Sequence, residues 1–126
     1  MEAPVLSIAR VRNLTRGISL AEHAEVADTS AKRRAGLLKH NRLEPGAGLW
    51  IVPCEGIHMF GMKFSIDAVF LNRERRVVKV CPNMGKWSIA MSLRAHSVLE
   101  LPAGAAAETG TAVGDQLEVE RIQLEA

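Results

Sequence analysis

The chain has 126 residues, of which 48% are hydrophobic and 24% charged, and its formal net charge is +2. This composition is typical of a globular protein, so we assign residues 1–126 to a single domain and exclude a largely disordered chain. The small charge, with only two tryptophans and three phenylalanines to stack on bases, argues against a nucleic-acid partner, which usually requires a basic stripe.

The sequence also predicts where in the cell the protein is located. Arg10, Arg12 and Arg16 interrupt the N-terminal region, which therefore lacks the pattern of a signal peptide. No apolar run approaches the roughly 18 residues needed to cross a bilayer. We expect a cytoplasmic protein without a membrane partner, with a monomer as the default state. Cys54 and Cys81 are too few for a disulfide framework, and whether they pair with each other is open.

The first predicted elements are a hairpin and a helix. Residues 5–14 and 18–27 alternate between apolar and polar on either side of Gly17, which predicts two antiparallel strands. Three consecutive residues that favour helix N-caps, Asp28-Thr29-Ser30, follow. Apolar residues then recur at helical spacing, which predicts a short helix over about residues 30–39.

The middle of the chain contains a strand followed by an unusual loop. The continuous apolar run at 48–52 predicts a buried strand. Residues 53–64 are apolar, but Gly56 and Gly61 break any helix. Because most loops are polar, we expect the segment from Gly56 to Phe64 to fold over the core.

The rest of the chain is predicted to be mostly β. Residues 82–96 have no clear period and are predicted to be a long connection, and residues 103–108 a helical turn. Further strands are predicted at 66–71, 76–81, 97–101 and 117–124. Together, about seven short strands with one or two flanking helices indicate a mainly β (α+β) domain of barrel or sandwich type.

Several stretches in a fixed order resemble the DUF192 family, an uncharacterised conserved domain, over about residues 22–120. They are Val26-Ala27-Asp28-Thr29 with Arg33 and Gly36-Leu37-Leu38, Gly48-Leu49-Trp50-Ile51, Ile57-His58-Met59 with Ile66-Asp67 and Phe70-Leu71, and Leu99-Glu100-Leu101 with Gly104, Gly110 and Gly114-Asp115. The chain is similar to the subgroup that has Ile-His where many members have Phe-Trp. The resemblance implies a compact β-rich fold with a flanking helix and no established activity.

The matched stretches contain a set of polar residues that could form a site. Asp67 and Glu100 lie in apolar strands, where a carboxylate needs a cationic or backbone donor. One interpretation is an ion pair of Arg33 with Glu100 or Asp67 that locks the fold. The other is a ligand pocket beside the 56–64 loop. The candidate residues for that pocket are Arg33, His58, Met59, Asp67 and Glu100.

Two further hypotheses involve the cysteines. A small hydrolase could use His58 with Asp67 or with Cys54 as a nucleophile, although no flanking signature supports this. A zinc site could use Cys54, His58, Cys81 and His96, although structural zinc sites usually show closely spaced cysteine pairs. We therefore favour a non-enzymatic binding or accessory module without a cofactor. Its recognition surface would lie near the His58 loop and bind an unknown protein or small molecule.

Overall fold

The computed structural model describes the backbone of residues 5–125 and the side chains of residues 7–122. The described part of the chain contains nine strands and two short helices, which confirms the predicted fold class. In chain order the elements are β1 (Val5–Asn13), β2 (Ile18–Ala27), α1 (Ser30–Ala35), β3 (Ala47–Ile51), β4 (Gly56–His58), β5 (Ile66–Leu71), β6 (Val77–Met84), β7 (Ile89–Met91), β8 (Ser97–Pro102), α2 (Ala105–Thr109) and β9 (Leu117–Glu125). Within residues 5–125, neither helix is long and apolar enough to cross a membrane.

Seven strands form one sheet in the order β6-β5-β8-β3-β2-β1-β9, and β4 and β7 form a second, two-stranded sheet. The neighbours in the large sheet are antiparallel except β2 and β3, which are parallel and are joined by the crossover that contains α1. The large sheet bends until the start of β6 meets the start of β9 at one bridge between Arg76 and Gln116. Because the two edge strands pair no further over the described residues, the fold is sandwich-like and not a closed barrel.

The large sheet has a hydrophobic core on each face. Side chains alternate along each strand, so Trp50, Val69 and Leu99 pack on the concave side in what we call the inner core. Phe70 and Val98 face the opposite side, which we call the outer core. The small sheet covers the outer core. Burial on both faces explains why β5 and β8 consist almost entirely of apolar residues.

The structure corrects three predicted boundaries. Helix α1 ends at Ala35 and not near residue 39, because Gly36 adopts a φ of 50° and closes the helix as its C-cap. The segment 53–64 is not wholly irregular, since it contains β4. The connection 82–96 contains the end of β6 and all of β7. Three-residue strands such as β4 and β7 are too short to show a period of two, so the sequence pattern missed them.

A buried carboxylate ties the turn before β9 to the β1–β2 hairpin. Asp115 is 3% exposed and accepts hydrogen bonds from Asn13 Nδ2 at 2.9 Å, Arg16 Nε at 2.9 Å and the Ala112 N–H at 3.0 Å. The hydrogen bond from the Arg16 guanidinium is the main cause that lowers the pKa of Asp115 from 3.8 to about 2. This network holds the turn before β9 against the neighbouring hairpin at one end of the large sheet.

We predict that Asp115→Ala lowers the free energy of unfolding by about 2–3 kcal/mol, because it leaves buried donors without an acceptor. The lowered pKa means that the ionised carboxylate stabilises the fold above pH 3.8 and that this contribution is lost as the pH falls towards 2. Urea unfolding between pH 2 and 7 measures both effects. Glu118→Ala, which removes an exposed carboxylate nearby in the chain, should change little; an equal loss in both variants would contradict the prediction.

Candidate functional site

A cavity of about 440 Å³ opens beside strand β4. Helix α1 and the residues that follow it form the opposite side of this cavity. This volume lies within the range of roughly 300–1,000 Å³ that is typical of small-ligand sites. We call it the Glu100 pocket. It is lined by Ser30, Arg33, Arg34, Ala35, Gly36, Leu37, Leu38, Ile51, Pro53, Cys54, Gly56, Ile57, His58, Met62 and Glu100.

Glu100 is the buried acid of this pocket. It lies on the outer-core face of β8, with its side chain 5% exposed, and its cross-strand neighbours Leu49 and Ala68 offer no polar side-chain group. No donor among the described residues hydrogen-bonds its carboxyl, and burial alone raises the pKa of Glu100 from 4.5 to about 7. The pocket therefore contains a carboxyl group that changes charge near neutral pH and has no hydrogen-bond partner among residues 7–122.

Cys54 lies beside this carboxyl. The thiol is half-buried and donates to the Gly56 carbonyl oxygen at 3.1 Å. Burial is the main cause that raises the pKa of Cys54. A backbone hydrogen bond from Gly56 lowers it, the nearby Glu100 carboxylate raises it by a smaller amount, and the positive charge of Arg33 lowers it by less still. Because the thiolate is the reactive form of cysteine, a raised pKa makes Cys54 a poor nucleophile at neutral pH.

His58 belongs both to the pocket wall and to an exposed apolar surface. Its ring lies 4.9 Å from that of Phe60, which lies 5.5 Å from that of Trp87. Ile89 pairs with His58 across the small sheet, and Met91 pairs with Gly56. We call the surface formed by His58, Phe60, Trp87, Ile89 and Met91 the aromatic ledge. Trp87, Ile89 and Met91 are each more than half exposed, which is unusual for neighbouring large apolar side chains.

The structure brings together three of the five predicted site residues, because Arg33, His58 and Glu100 all line the pocket. Met59 is 1% exposed in the outer core. Asp67 faces the other side of the sheet, where it accepts hydrogen bonds from the backbone N–H groups of Asn83, Ala106 and Gly104 at 2.7, 2.8 and 3.1 Å. The predicted roles of Met59 and Asp67 in binding stay predictions.

The ion pair of Arg33 with Glu100 or Asp67 does not form. Asp67 takes its donors from the backbone, and the Arg33 guanidinium donates to Ser30 Oγ at 3.4 Å on the exposed side of α1. Arg33 could not reach Asp67 because the sheet lies between them. The interpretation of these charges as an ion pair was therefore wrong, although Asp67 does hold the fold through backbone donors. The pocket interpretation fits the placement of Glu100.

The zinc hypothesis and the pairing of His58 with Asp67 also fail on geometry, while the pairing of His58 with Cys54 stays a prediction. Within the described residues, no three His, Cys, Asp or Glu side chains come close enough to hold a metal ion. The predicted zinc set of Cys54, His58, Cys81 and His96 therefore does not assemble. His58 and Asp67 lie on opposite sides of the large sheet, so they cannot act as a catalytic pair.

The aromatic ledge was not predicted from the sequence. Phe60 and Trp87 come from two segments that lie far apart in the chain and meet only because β4 pairs with β7. A local pattern cannot reveal such a surface. The one available signal was the placement of large apolar residues in segments that were expected to be loops.

The matches to known proteins agree with this fold. Residues 11–119 match the family model DUF192, described as "Uncharacterized ACR". A UPF0127 protein of Pyrococcus abyssi is 34% identical over 113 residues, which cover 84% of this chain and 93% of that protein. One from Thermococcus sibiricus is 31% identical over 117 residues, covering 86% and 73%. The chain therefore belongs to the DUF192 family, whose function is uncharacterised.

Two solved structures share the fold. A protein of unknown function from Novosphingobium aromaticivorans superposes with a TM-score of 0.78 at 25% identity, over 90% of this chain and 84% of that one. A protein of Sinorhizobium meliloti, proposed as a transcription regulator, superposes with a TM-score of 0.78 at 22% identity, over 94% and 96%. At 22% identity the second likeness shows the fold alone.

The raised pKa of Glu100 predicts a pH-dependent stability. Between pH 4.5 and 7 the unfolded chain releases the Glu100 proton and the folded chain retains it. The free energy of unfolding therefore falls as the pH rises through this window, by about 3 kcal/mol, since one pKa unit corresponds to about 1.4 kcal/mol. Glu100→Gln removes this dependence. Urea unfolding measures the free energy of unfolding of the wild-type protein and of Glu100→Gln at each pH. If the difference between these two free energies stays constant from pH 4.5 to 7, the raised pKa of Glu100 is contradicted.

We also predict that Cys54 reacts slowly with iodoacetamide at pH 8 compared with free cysteine, because burial disfavours its thiolate. A Cys81→Ser background isolates the Cys54 signal. Adding Glu100→Gln should speed the reaction, because it removes a negative charge that raises the pKa of Cys54. The exposed Glu74→Gln serves as the control. Equal rates in both variants would show that Glu100 does not act on the thiol.

Proposed function

We propose that this DUF192 member is a small, non-enzymatic binding module whose recognition surface combines the Glu100 pocket with the aromatic ledge. The single observation that carries the proposal is the buried Glu100 carboxyl, which faces the cavity with no hydrogen-bond partner in the described part of the chain. A buried carboxylate without a donor is unfavourable. A ligand that supplies this donor recovers part of that free energy as affinity.

The pocket and the ledge together define what a ligand should contain. To pair with Glu100, the ligand needs a hydrogen-bond donor, which is either neutral or positively charged. Apolar residues such as Ile51, Leu37 and Met62 form part of the remaining wall, beside Arg33 and Arg34. The ledge adds an apolar surface outside the pocket. We infer a ligand with a donor group joined to an apolar part, such as an amide or amine on an aliphatic or aromatic chain.

The chemistry of the site supports binding more than catalysis. The Cys54 thiol is protonated at neutral pH and donates to a backbone carbonyl. Asp67, the proposed partner of His58, uses its carboxylate to bind three backbone N–H groups. Neither combination provides the activated nucleophile or oriented base that hydrolysis by these residues requires.

The proposal can be tested with three probes of equal length: butyramide, n-butylammonium and butyrate. At pH 8 the Glu100 carboxyl is ionised, since its pKa is about 7. We expect the two donors to shift the amide NMR signals of Gly56, His58 and Glu100 in ¹⁵N-labelled protein, with butyrate having much less effect. Glu100→Gln should weaken the binding of n-butylammonium roughly tenfold, the contribution of a hydrogen bond to a charged group.

The exposed Glu55→Gln serves as the matched control, because it removes a carboxylate near the pocket without changing its lining. Stronger binding of butyrate would show that Arg33 and Arg34 dominate and that the pocket is an anion site. The absence of any shift at the pocket with all three probes would overturn the proposal.

A further inference from the structure

Within residues 5–125, strand β4 has a backbone edge without a partner strand. In that range it pairs with β7 alone, in a register that places Ile57 opposite Ala90. On either side of this pair, the Ser92 N–H donates to Glu55 O and the Met59 N–H donates to Ser88 O, both at 2.8 Å. In an antiparallel pair, hydrogen-bonded positions alternate with positions whose polar groups point outwards. The N–H and C=O groups of Gly56 and His58 therefore point away from β7.

The Glu100 pocket lies along this edge. Gly56, Ile57 and His58 all line the cavity, and the Cys54 thiol already donates to the outward-pointing Gly56 carbonyl. Among the described residues, the His58 N–H and the His58 carbonyl have no partner on this side, whereas the backbone groups of Gly56 contact the Cys54 thiol. An edge of unpaired backbone groups is a template for another strand.

The geometry of an added strand matches the two parts of the recognition surface. Side chains alternate between the two faces of a sheet. One face of the β4–β7 sheet is directed towards the outer core, where Glu100 faces the pocket, and the other carries the aromatic ledge. An extended chain beside β4 would place alternate side chains in the pocket and on the ledge.

We propose that the ligand is an extended peptide that adds to the free edge of β4, with a donor-bearing side chain on Glu100 and apolar side chains on the aromatic ledge. This inference rests on the proposed function and names its ligand class. It follows the general mode in which the main chain supplies affinity and pockets for alternate side chains supply specificity. The partner is therefore a protein segment with alternating polar and apolar residues.

The test uses a peptide with blocked ends, acetyl-Thr-Phe-Gln-Phe-Thr-amide, in which the central glutamine is the donor. Binding is followed by the NMR signals of the Gly56 and His58 amides, which should move downfield as they form hydrogen bonds. N-methylation of alternate peptide nitrogens gives two analogues. One analogue should lose binding and the other should retain it, because only alternate N–H groups of a strand face its neighbour.

Variants of the protein provide a second readout. His58→Pro removes the outward N–H, and proline is tolerated on an edge strand where its nitrogen faces away from the sheet. Compared with His58→Ala, which keeps the N–H, it should weaken the peptide roughly fivefold, the net contribution of one hydrogen bond. Glu100→Gln should weaken the glutamine peptide and leave a peptide with a central leucine unchanged.

The outcomes separate the two proposals. If the two N-methylated analogues bind equally well while butyramide still shifts the pocket signals, the peptide inference is overturned and the binding function stands. If neither the peptide nor the small donors shift the NMR signals of the pocket residues, both the binding function and the peptide inference are overturned. The N-methylated peptides need no change in the protein, so this test does not depend on whether His58→Pro folds.

Discussion

Strands β5 and β8 are buried on both faces, and this constraint determines how the rest of the chain is arranged. The curl of the large sheet covers one face. The other face needs a separate cover, which the small sheet, the loop after it and the residues after α1 supply. The pocket lies where the parts of this cover meet above β8. It thus follows from covering one sheet with several short segments.

Two carboxylates on neighbouring strands show how the same sequence pattern leads to different outcomes. Asp67 on β5 and Glu100 on β8 each lie between apolar residues and are each 5% exposed or less. Asp67 points to the side where the loops around α2 direct their N–H groups at it, so it acts in the architecture. Glu100 points to the side that opens into the pocket. Asp67 is therefore a structural acid and Glu100 a candidate functional acid. The difference between them is that backbone donors surround Asp67 and not Glu100.

The sequence predicted the features that depend on local pattern. The β1–β2 hairpin, strands β5 and β6 and the start of α1 were predicted from alternation, turn residues and the N-cap residues that include Thr29. The family motifs indicated Arg33, His58 and Glu100. The pairing of β4 with β7 and the aromatic ledge depend on contacts between distant segments. The side of the sheet that Asp67 faces could not be predicted either, because alternation gives relative but not absolute orientation.

Helix α1 has six residues, none of which is buried, and its attachment to the outer core comes from Leu37 just beyond its end. Elements with few buried contacts open at a free energy well below that of global unfolding. The two sides of the pocket therefore differ in rigidity, with β8 as a fixed floor and α1 as a wall that can move outwards alone. Leu37 and the partly buried Leu43, both beyond the helix, join this wall to the outer core, so we expect bulkier occupants to displace the wall before they disturb either hydrophobic core.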